Sequence, residues 1–365
     1  MLINALYFKC IASGIQKSLE VKARIRVDQL KASSVETDDV KLSPNINGMY
    51  TASEQNCVLL ADSGAGVVLR VSLTKECIEE YIIRRVDNMS GVLLLPGDGE
   101  RIAILISKPT NVRTNIGEHL SNLFRRRRLE WQHSVRLLTR KSNTWQYTYD
   151  IFFDDTDNIC NYNGLCISRG ILLCAAFQYS RRLVAFEVTS DSKLCLVGTL
   201  KFDSETNGLC AFPSKGEHLL ATTHKDRTVR VWRHLETSPY KGVFALQECC
   251  RIIADRAVHN IIYANEGLFV SSLDPASVML CKLNGSLINA IFPQQQLNKA
   301  RILCWCSVQD NIVAYDREGK WLITFPKVDS KENPKHTENL SALISNSKSN
   351  DEEVFIDADD KLFDN

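Results

Sequence analysis

Apolar residues along this chain fall into short runs that are separated by turn-forming and charged residues. The run Ile171–Phe177 is followed, after a charged turn, by the strand-like run Leu183–Val188. The same order recurs in His218–Thr223 and Thr228–Trp232, which the charged turn Lys225–Arg227 separates. Short apolar runs bounded by turn residues are typical of β-strands, and runs joined by short turns predict antiparallel pairing. The pattern therefore predicts an all-β chain.

One short phrase recurs ahead of these pairs of strands. Asn163-Gly164-Leu165-Cys166 returns as Asn207-Gly208-Leu209-Cys210, 44 residues later. Weaker copies precede further strand pairs, and an insertion lengthens the step between the second and third copies. The apolar anchors of the six copies are Met49, Val92, Leu165, Leu209, Ile262 and Leu303. A period of roughly 40–45 residues that contains four strands is typical of a β-propeller.

The repeat predicts a single β-propeller of four-stranded antiparallel blades over residues 1–326. Six blades are expected, and seven are the alternative if the N-terminal strands form a separate blade. The last copy provides three strands by Phe325, so its outer strand is missing. Tyr7–Ala12 and Val21–Val27 are strand-like, and one or both are expected to pair with this last blade and latch the ring.

One copy carries a family resemblance. Residues 212–232, from Phe212 through Asp226 to Trp232, resemble a WD40 repeat from its second turn to the Trp that closes the third strand. In that family the turn Asp bonds backbone amides and the Trp packs on the neighbouring blade, so the resemblance gives these roles to Asp226 and Trp232. The copy departs from the family where Asn207-Gly208 replaces the usual Gly-His, and the other copies lack the Trp. A degenerate propeller of another repeat family remains the alternative.

Two segments interrupt the repeat within the propeller. Residues 28–45 contain few large apolar groups and are expected to form a loop outside the core. Residues 107–134 form an insertion in the second blade that carries Arg125, Arg126, Arg127 and Arg128. Apolar residues spaced as on one helical face precede this patch, which favours a short amphipathic helix. These residues are Ile116, Leu120, Leu123 and Phe124.

The arginine patch has three interpretations. It is a solvated loop paired with acids of adjoining blades, a nuclear-import or nucleic-acid contact, or a contact for an acidic protein. Trp131 and Trp145 nearby either stack on bases or belong to the core.

Residues 327–365 form a hydrophilic tail that is rich in Ser, Asn, Lys, Asp and Glu. Such a composition buries too little apolar surface to fold alone, so disorder is expected. Within the acid clusters, Val354, Phe355, Ile356, Leu362 and Phe363 form a candidate docking motif that orders on a partner. A tail kept only for solubility is the alternative.

Composition narrows the compartment and the partners. With 44 Lys and Arg against 43 Asp and Glu, the net charge is +1, so no whole-protein field draws the chain to nucleic acid or to an anionic membrane. Thirteen cysteines, many within apolar runs, indicate free thiols in a reducing compartment. The apolar start lacks a basic leader, and no run has the roughly 20 residues of a membrane helix. We expect an intracellular protein, cytoplasmic or nuclear, without membrane contact.

No catalytic signature is present in the sequence. Cys249-Cys250 and Cys304-Trp305-Cys306 lack paired C-x-x-C spacing, so no metal site and no cofactor are expected. Turn chemistry alone explains the acids at the predicted turns. These acids are Asp62, Asp98, Asp226, Asp274 and Asp316. The sequence therefore favours a non-catalytic protein-interaction platform, a scaffold or adaptor subunit that binds protein partners through blade-top loops, the basic insertion and the tail. The first alternative is a nuclear nucleic-acid-associated propeller, and the second is a metal-dependent lactonase or hydrolase.

Overall fold

We analysed a computed structural model of the full chain. It describes residues 7–8, 16–18, 21–33, 42, 45–52, 56–84, 86, 89–95, 100–110, 130–155, 165–168, 172–177, 181–188, 193–214, 217–234, 245–264, 267–273, 276–282, 287–291, 302–309 and 311–326. Helical structure in these ranges amounts to the 3₁₀ turn Val27–Gln29, and none of it has the length or the apolar character of a membrane span.

The described strands form six sheets, which we number in chain order. Sheet 1 contains β4 (Ile46–Thr51), β5 (Cys57–Asp62), β6 (Val67–Ser72) and β7 (Cys77–Arg84). Sheet 2 contains β8 (Met89–Leu95), β9 (Arg101–Thr110), β10 (Glu130–Lys141) and β11 (Thr144–Asp155). Sheet 3 contains β12 (Leu165–Ser168), β13 (Leu172–Phe177), β14 (Arg182–Val188) and β15 (Leu194–Lys201).

The second half of the chain forms the other three sheets, which three short N-terminal strands extend. Sheet 4 contains β16 (Thr206–Ser214), β17 (Glu217–His224), β18 (Thr228–His234), β19 (Leu246–Ile253) and β1 (Tyr7–Phe8). Sheet 5 contains β20 (Ile261–Ala264), β21 (Gly267–Leu273), β22 (Ala276–Lys282), β23 (Leu287–Ile291) and β2 (Gln16–Ser18). Sheet 6 contains β24 (Ile302–Val308), β25 (Asn311–Asp316), β26 (Trp321–Pro326) and β3 (Ala23–Arg26).

The first strands of the sheets contact one another around a closed ring. β4 contacts β8, β8 contacts β12, and the series continues through β16, β20 and β24 back to β4. A cluster of buried apolar side chains lies at each junction between neighbouring sheets in the described residues. Each sheet therefore buries its faces against its neighbours, as a propeller requires. The prediction of an all-β propeller built from four-stranded antiparallel sheets is confirmed.

The N-terminal strands join existing sheets instead of forming a further one. β3 pairs antiparallel with β26, with Ile25 opposite Leu322, and so completes sheet 6. One or both of Tyr7–Ala12 and Val21–Val27 were expected to join the last sheet; Val21–Val27 does so through β3, whereas Tyr7–Phe8 pairs in parallel with β19 of sheet 4. β2 pairs in parallel with β23 of sheet 5. Only one of the two predicted strands therefore joins the C-terminal strand.

The recurrent phrase marks a β-bulge near the start of the inner strand. The unpaired residue of this bulge is Asn47 in β4, Ser90 in β8, Asn207 in β16 and Leu303 in β24. The Asn207 amide Nδ2 donates to the Val258 carbonyl oxygen at 2.9 Å, and the Asn47 amide reaches the Met89 carbonyl oxygen at 3.2 Å. The Asn side chain therefore joins one sheet to the next.

The glycine after this Asn is required by close backbone approach. A Cβ at Gly48 would lie 2.7 Å from the Gly91 Cα, and a Cβ at Gly208 would lie 2.7 Å from the His259 carbonyl oxygen. No heavier side chain fits there without moving the neighbouring sheet. The Asn-Gly pairs that head these copies are thus explained by contacts between sheets.

The two segments that interrupt the repeat differ from expectation. Residues 28–45 do not lie wholly outside the core, because Leu42 is buried and Leu30 packs on the cluster between sheets 6 and 1. In the basic insertion, residues 107–110 and 130–134 belong to the paired strands β9 and β10. This pairing continues past the first residue of β8, so these residues form a two-stranded extension of sheet 2. The predicted helix and the segment 111–129 lie outside the described residues.

Candidate interaction surfaces

One face of the ring collects two kinds of connection. In an antiparallel four-stranded sheet, the turn between the second and third strands lies at the same end as the link to the next sheet. We call this end of the ring the turn face. It includes the turns 63–66, 225–227 and 317–320 and the links 202–205 and 254–260. The turns 73–76 and 142–143 lie on the opposite face.

Buried carboxylates hold two of the turns. One oxygen of Asp62 accepts hydrogen bonds from the backbone amides of Asn45 (3.0 Å), Gly64 (3.0 Å) and Ala65 (3.2 Å). The other oxygen is buried and has no hydrogen-bond partner among the described residues. Burial therefore raises the pKa of Asp62 above its usual range, although the three amides act in the opposite direction. Asp316 occupies the same register position in sheet 6 and accepts from two turn amides.

Sheet 4 carries a charged cluster at its turn. Asp226 accepts from the Thr228 amide at 3.1 Å and from the Thr228 hydroxyl at 2.6 Å. The buried Arg230 guanidinium pairs with Asp226 at 2.6 Å and also with Asp203, which belongs to the link from sheet 3. The side chain of Arg230 is 2% exposed, whereas those of Asp203 and Asp226 are 64% and 38% exposed. A buried cation thus holds two accessible carboxylates in place.

Arg230 also sets the charge state of these acids. Partial burial acts to raise the pKa of both carboxyls. Hydrogen bonds and the positive charge of Arg230 outweigh burial, so the pKa of Asp203 and that of Asp226 fall below the ordinary range. Both groups are therefore anionic at neutral pH.

A neutral hydrogen-bonded chain lies beneath this cluster. Trp232 Nε1 donates to the Thr222 hydroxyl at 2.8 Å, and that hydroxyl lies 2.7 Å from Nε2 of His224. Burial, followed by the charge of Arg230, lowers the pKa of His224 to about 4. A neutral His224 can accept the Thr222 proton at Nε2, so every member of the chain has a partner.

Trp232 links this chain to the neighbouring sheet. Its ring lies 5.1 Å from that of Phe202, and both belong to a buried cluster that includes Leu183 and Ala185 of sheet 3. Asp226 and Trp232 therefore make the kinds of contact that the WD40 resemblance implies.

A second charged network lies near the opposite face, between sheets 1 and 2. Glu100 pairs with the buried Arg70 at 2.6 Å and with Arg140 at 2.5 Å. The Trp145 indole donates to Glu80 at 2.9 Å, so this ring belongs to the network and is not free to stack on a base. The Trp145 ring lies near Lys141, the last residue of β10, whereas the basic insertion leads into the first residue of that strand. At the usual rise per residue, the two ends of β10 are roughly 30 Å apart.

The predicted site residues fall partly within the described residues. Asp226 and Trp232 are described, whereas Arg125–Arg128 and the tail motif at Val354–Ile356, Leu362 and Phe363 lie outside the described residues. Sequence reasoning missed Arg230 and Asp203. The alternation of Thr228, Arg230 and Trp232 along β18, directly after Asp226 in the turn, was a signal for Arg230, because alternate residues of a strand share a face.

Among the described residues, no group of three metal-ligating side chains comes together. Burial raises the pKa of the Cys306 thiol to about 12 and also raises the pKa of the Cys210 thiol. Neither of these thiols is a thiolate at neutral pH.

Comparison with a solved β-propeller domain agrees with the fold. The β-propeller domain of Cps50 (Swd1) from Myceliophteria thermophila matches 78% of this chain and 84% of its own, with 11% identity and a TM-score of 0.50. A chain in a crystal structure of the mitotic checkpoint complex matches 90% of this chain and 97% of its own, with 12% identity and a TM-score of 0.49. No protein-family model and no curated protein matches the sequence. At such low identity the likeness to Cps50 shows the β-propeller fold alone.

Proposed function

We propose that this protein is a non-catalytic interaction platform that binds protein partners through its turn face. The observation that carries this proposal is the cluster on sheet 4, where buried Arg230 fixes the exposed carboxylates of Asp203 and Asp226. The exposed side chains of Lys225 and Arg227 lie beside them in the same turn. Carboxylates that a buried arginine already holds in place lose little conformational entropy on binding, which favours recognition of a partner with complementary charge.

The test compares two charge-reversal variants of the full chain after affinity purification from native cells. Lys225→Glu with Arg227→Glu changes the turn face, whereas Lys75→Glu with Lys141→Glu makes the same net change at exposed positions near the opposite face. We expect copurifying proteins to be lost with the first variant and kept with the second. Equal recovery with both variants would refute the turn-face assignment. A chain that copurifies with no protein would refute the platform itself.

Topology supports a second candidate, in which the basic insertion contacts nucleic acid. The segment 111–129 joins the end of β9 to the start of β10, so Arg125–Arg128 lie on a connection that leaves from the turn face. Phosphate contacts predict binding that weakens steeply with salt and is lost when Arg125–Arg128 are changed to Ala. Binding that is absent, or that does not respond to salt, would eliminate this candidate.

We also infer that the chain is a divergent WD40-like propeller. The contacts of Asp226 with a turn amide and of Trp232 with sheet 3 support this assignment. Only sheet 4 has this Trp at the end of its third strand, so the assignment rests on one repeat.

A further inference from the structure

The outer edges of the sheets are covered unequally. Described parts of the N-terminal segment cover three of them: β1 pairs with β19, β2 pairs with β23, and residues 31–33 bond to Ile78 of β7. β3 supplies the fourth strand of sheet 6 beside β26. The Ile78 amide donates to the Lys31 carbonyl oxygen at 2.8 Å, and the Ile78 carbonyl oxygen accepts from the Ser33 amide at 2.9 Å. Strand addition is thus the way this chain covers its own edges.

Three edges have no such cover within the described residues. β11 ends sheet 2, β15 ends sheet 3 and β3 ends sheet 6, with no described strand beyond any of them. Two of the three large apolar side chains found exposed in the described ranges lie on these strands: Tyr147 on β11 is 58% exposed and Leu196 on β15 is 57% exposed. An uncovered edge with exposed apolar side chains is a template for pairing with another strand.

Of β11 and β15, β15 is the better receptor. Tyr147 already has the Arg136 guanidinium over its ring at 5.5 Å. On β15, Cys195, Leu196, Thr199 and Lys201 are all exposed. Lys193 and Lys201 flank the strand, and Arg182 lies opposite Lys201 on β14. The acid on β14 is Glu187, opposite Cys195, and Asp203, two residues beyond Lys201, is already paired with Arg230. Basic residues therefore stand at both ends of the edge, and its centre is apolar.

One segment of this chain has the complementary pattern. In Asp351-Glu352-Glu353-Val354-Phe355-Ile356-Asp357, acids flank a centre of β-branched and aromatic residues, which favour strands. Acids at both ends of this acidic segment can meet basic residues at both ends of β15 in either strand direction. The chain between Pro326 and Asp351 can extend to roughly 80 Å, which exceeds the roughly 50 Å diameter expected for a domain of this size.

We propose that residues 351–357 of this chain's own tail add to sheet 3 as an outer strand beside β15. The tail then covers sheet 3 as the N-terminal segment covers sheets 4, 5 and 1. A protein partner that binds to the turn face is not needed for this contact, so the two proposals fail independently.

Hydrogen exchange of the full chain and of a chain ending at Lys327 tests the contact. We expect the amides of β15 to exchange faster in the truncated chain and to be protected again when a synthetic peptide of residues 349–360 is added. Equal exchange of β15 in the two chains would refute the proposal, as would protection confined to β11. Protection that depends on protein concentration would also refute it, because the tail would then come from a second copy.

Peptide binding to the truncated chain, followed by fluorescence anisotropy, gives the matched comparison. Lys193→Glu with Lys201→Glu should weaken binding about fivefold to tenfold, whereas Lys75→Glu with Lys141→Glu should leave it unchanged. A peptide with Val354, Phe355 and Ile356 changed to Ser needs no change in the folded chain and should not bind. Equal affinity of this peptide and the natural one would refute the pairing.

Discussion

The antiparallel pair of β3 with β26 predicts that the first residues of the chain stabilise the last sheet. Two N-terminal truncations separate this contribution from the others. Of the described strands, a chain lacking residues 1–20 loses β1 and β2, which have two and three residues. A chain lacking residues 1–28 also loses β3, with Ile25 (5% exposed) and Val27 (0% exposed).

The structure sets the size of the expected effect. Burial of each aliphatic side chain contributes about 1.5–3 kcal/mol, so Ile25 and Val27 together contribute about 3–6 kcal/mol. The backbone adds bonds that include those from the Lys22 amide to Thr324 (2.8 Å) and from the Val27 amide to Lys320 (3.0 Å). These bonds add about 1–3 kcal/mol net. The sum is a large fraction of the about 5–15 kcal/mol that separates folded from unfolded domains.

Urea denaturation followed by tryptophan fluorescence measures the difference. If the free energy of unfolding falls by about 3 kcal/mol per molar urea, the longer truncation should lower the urea midpoint by about 2 M relative to the shorter one. Ile25→Ala in the full chain should cost about 2–5 kcal/mol and controls for the loss of chain length. If the two truncated chains unfold at the same urea concentration, β3 does not stabilise the ring and the reasoning is wrong.

Three further predictions concern the turn face and the inner strands. Burial raises the pKa of Asp62, so ionisation of this group lowers the free energy of unfolding as pH rises through the folded pKa. Asp62→Asn should therefore raise the urea midpoint at pH 7 and leave it unchanged in acid. The pKa of His224 falls to about 4, so its stabilising effect is present above the unfolded value of 6.5 and is lost as pH falls towards 4; His224→Asn should remove that part of the acid sensitivity in a pH series of melts. Gly208→Ala should destabilise the fold by about 1–3 kcal/mol, because its Cβ would lie 2.7 Å from the His259 carbonyl oxygen, and an unchanged thermal midpoint would contradict that contact.

The candidate site was only partly readable from the sequence. The resemblance drew attention to Asp226 and Trp232, since turn and strand-end residues of one repeat lie close together in the chain. Arg230 and Asp203 were missed as a pair because their contact joins the link from sheet 3 to a strand of sheet 4. Nothing in the residues around Asp203 indicates that a buried arginine will hold it. Trp145 shows the opposite problem. It lies near the basic insertion in the sequence, but in the structure the length of β10 separates the two.

The sequence by itself determined the strands, their order and the repeated head of the inner strand. These features depend on contacts within one sheet or with the next one along the chain, and alternation, turn residues and the Asn-Gly pair record such contacts locally. Only the tertiary structure decided which edges the N-terminal segment covers and which edges have no described strand beyond them. Any strand edge presents the same backbone donors and acceptors, so the choice among β19, β23 and β26 depends on how the closed ring places those edges along the path of the N-terminal segment.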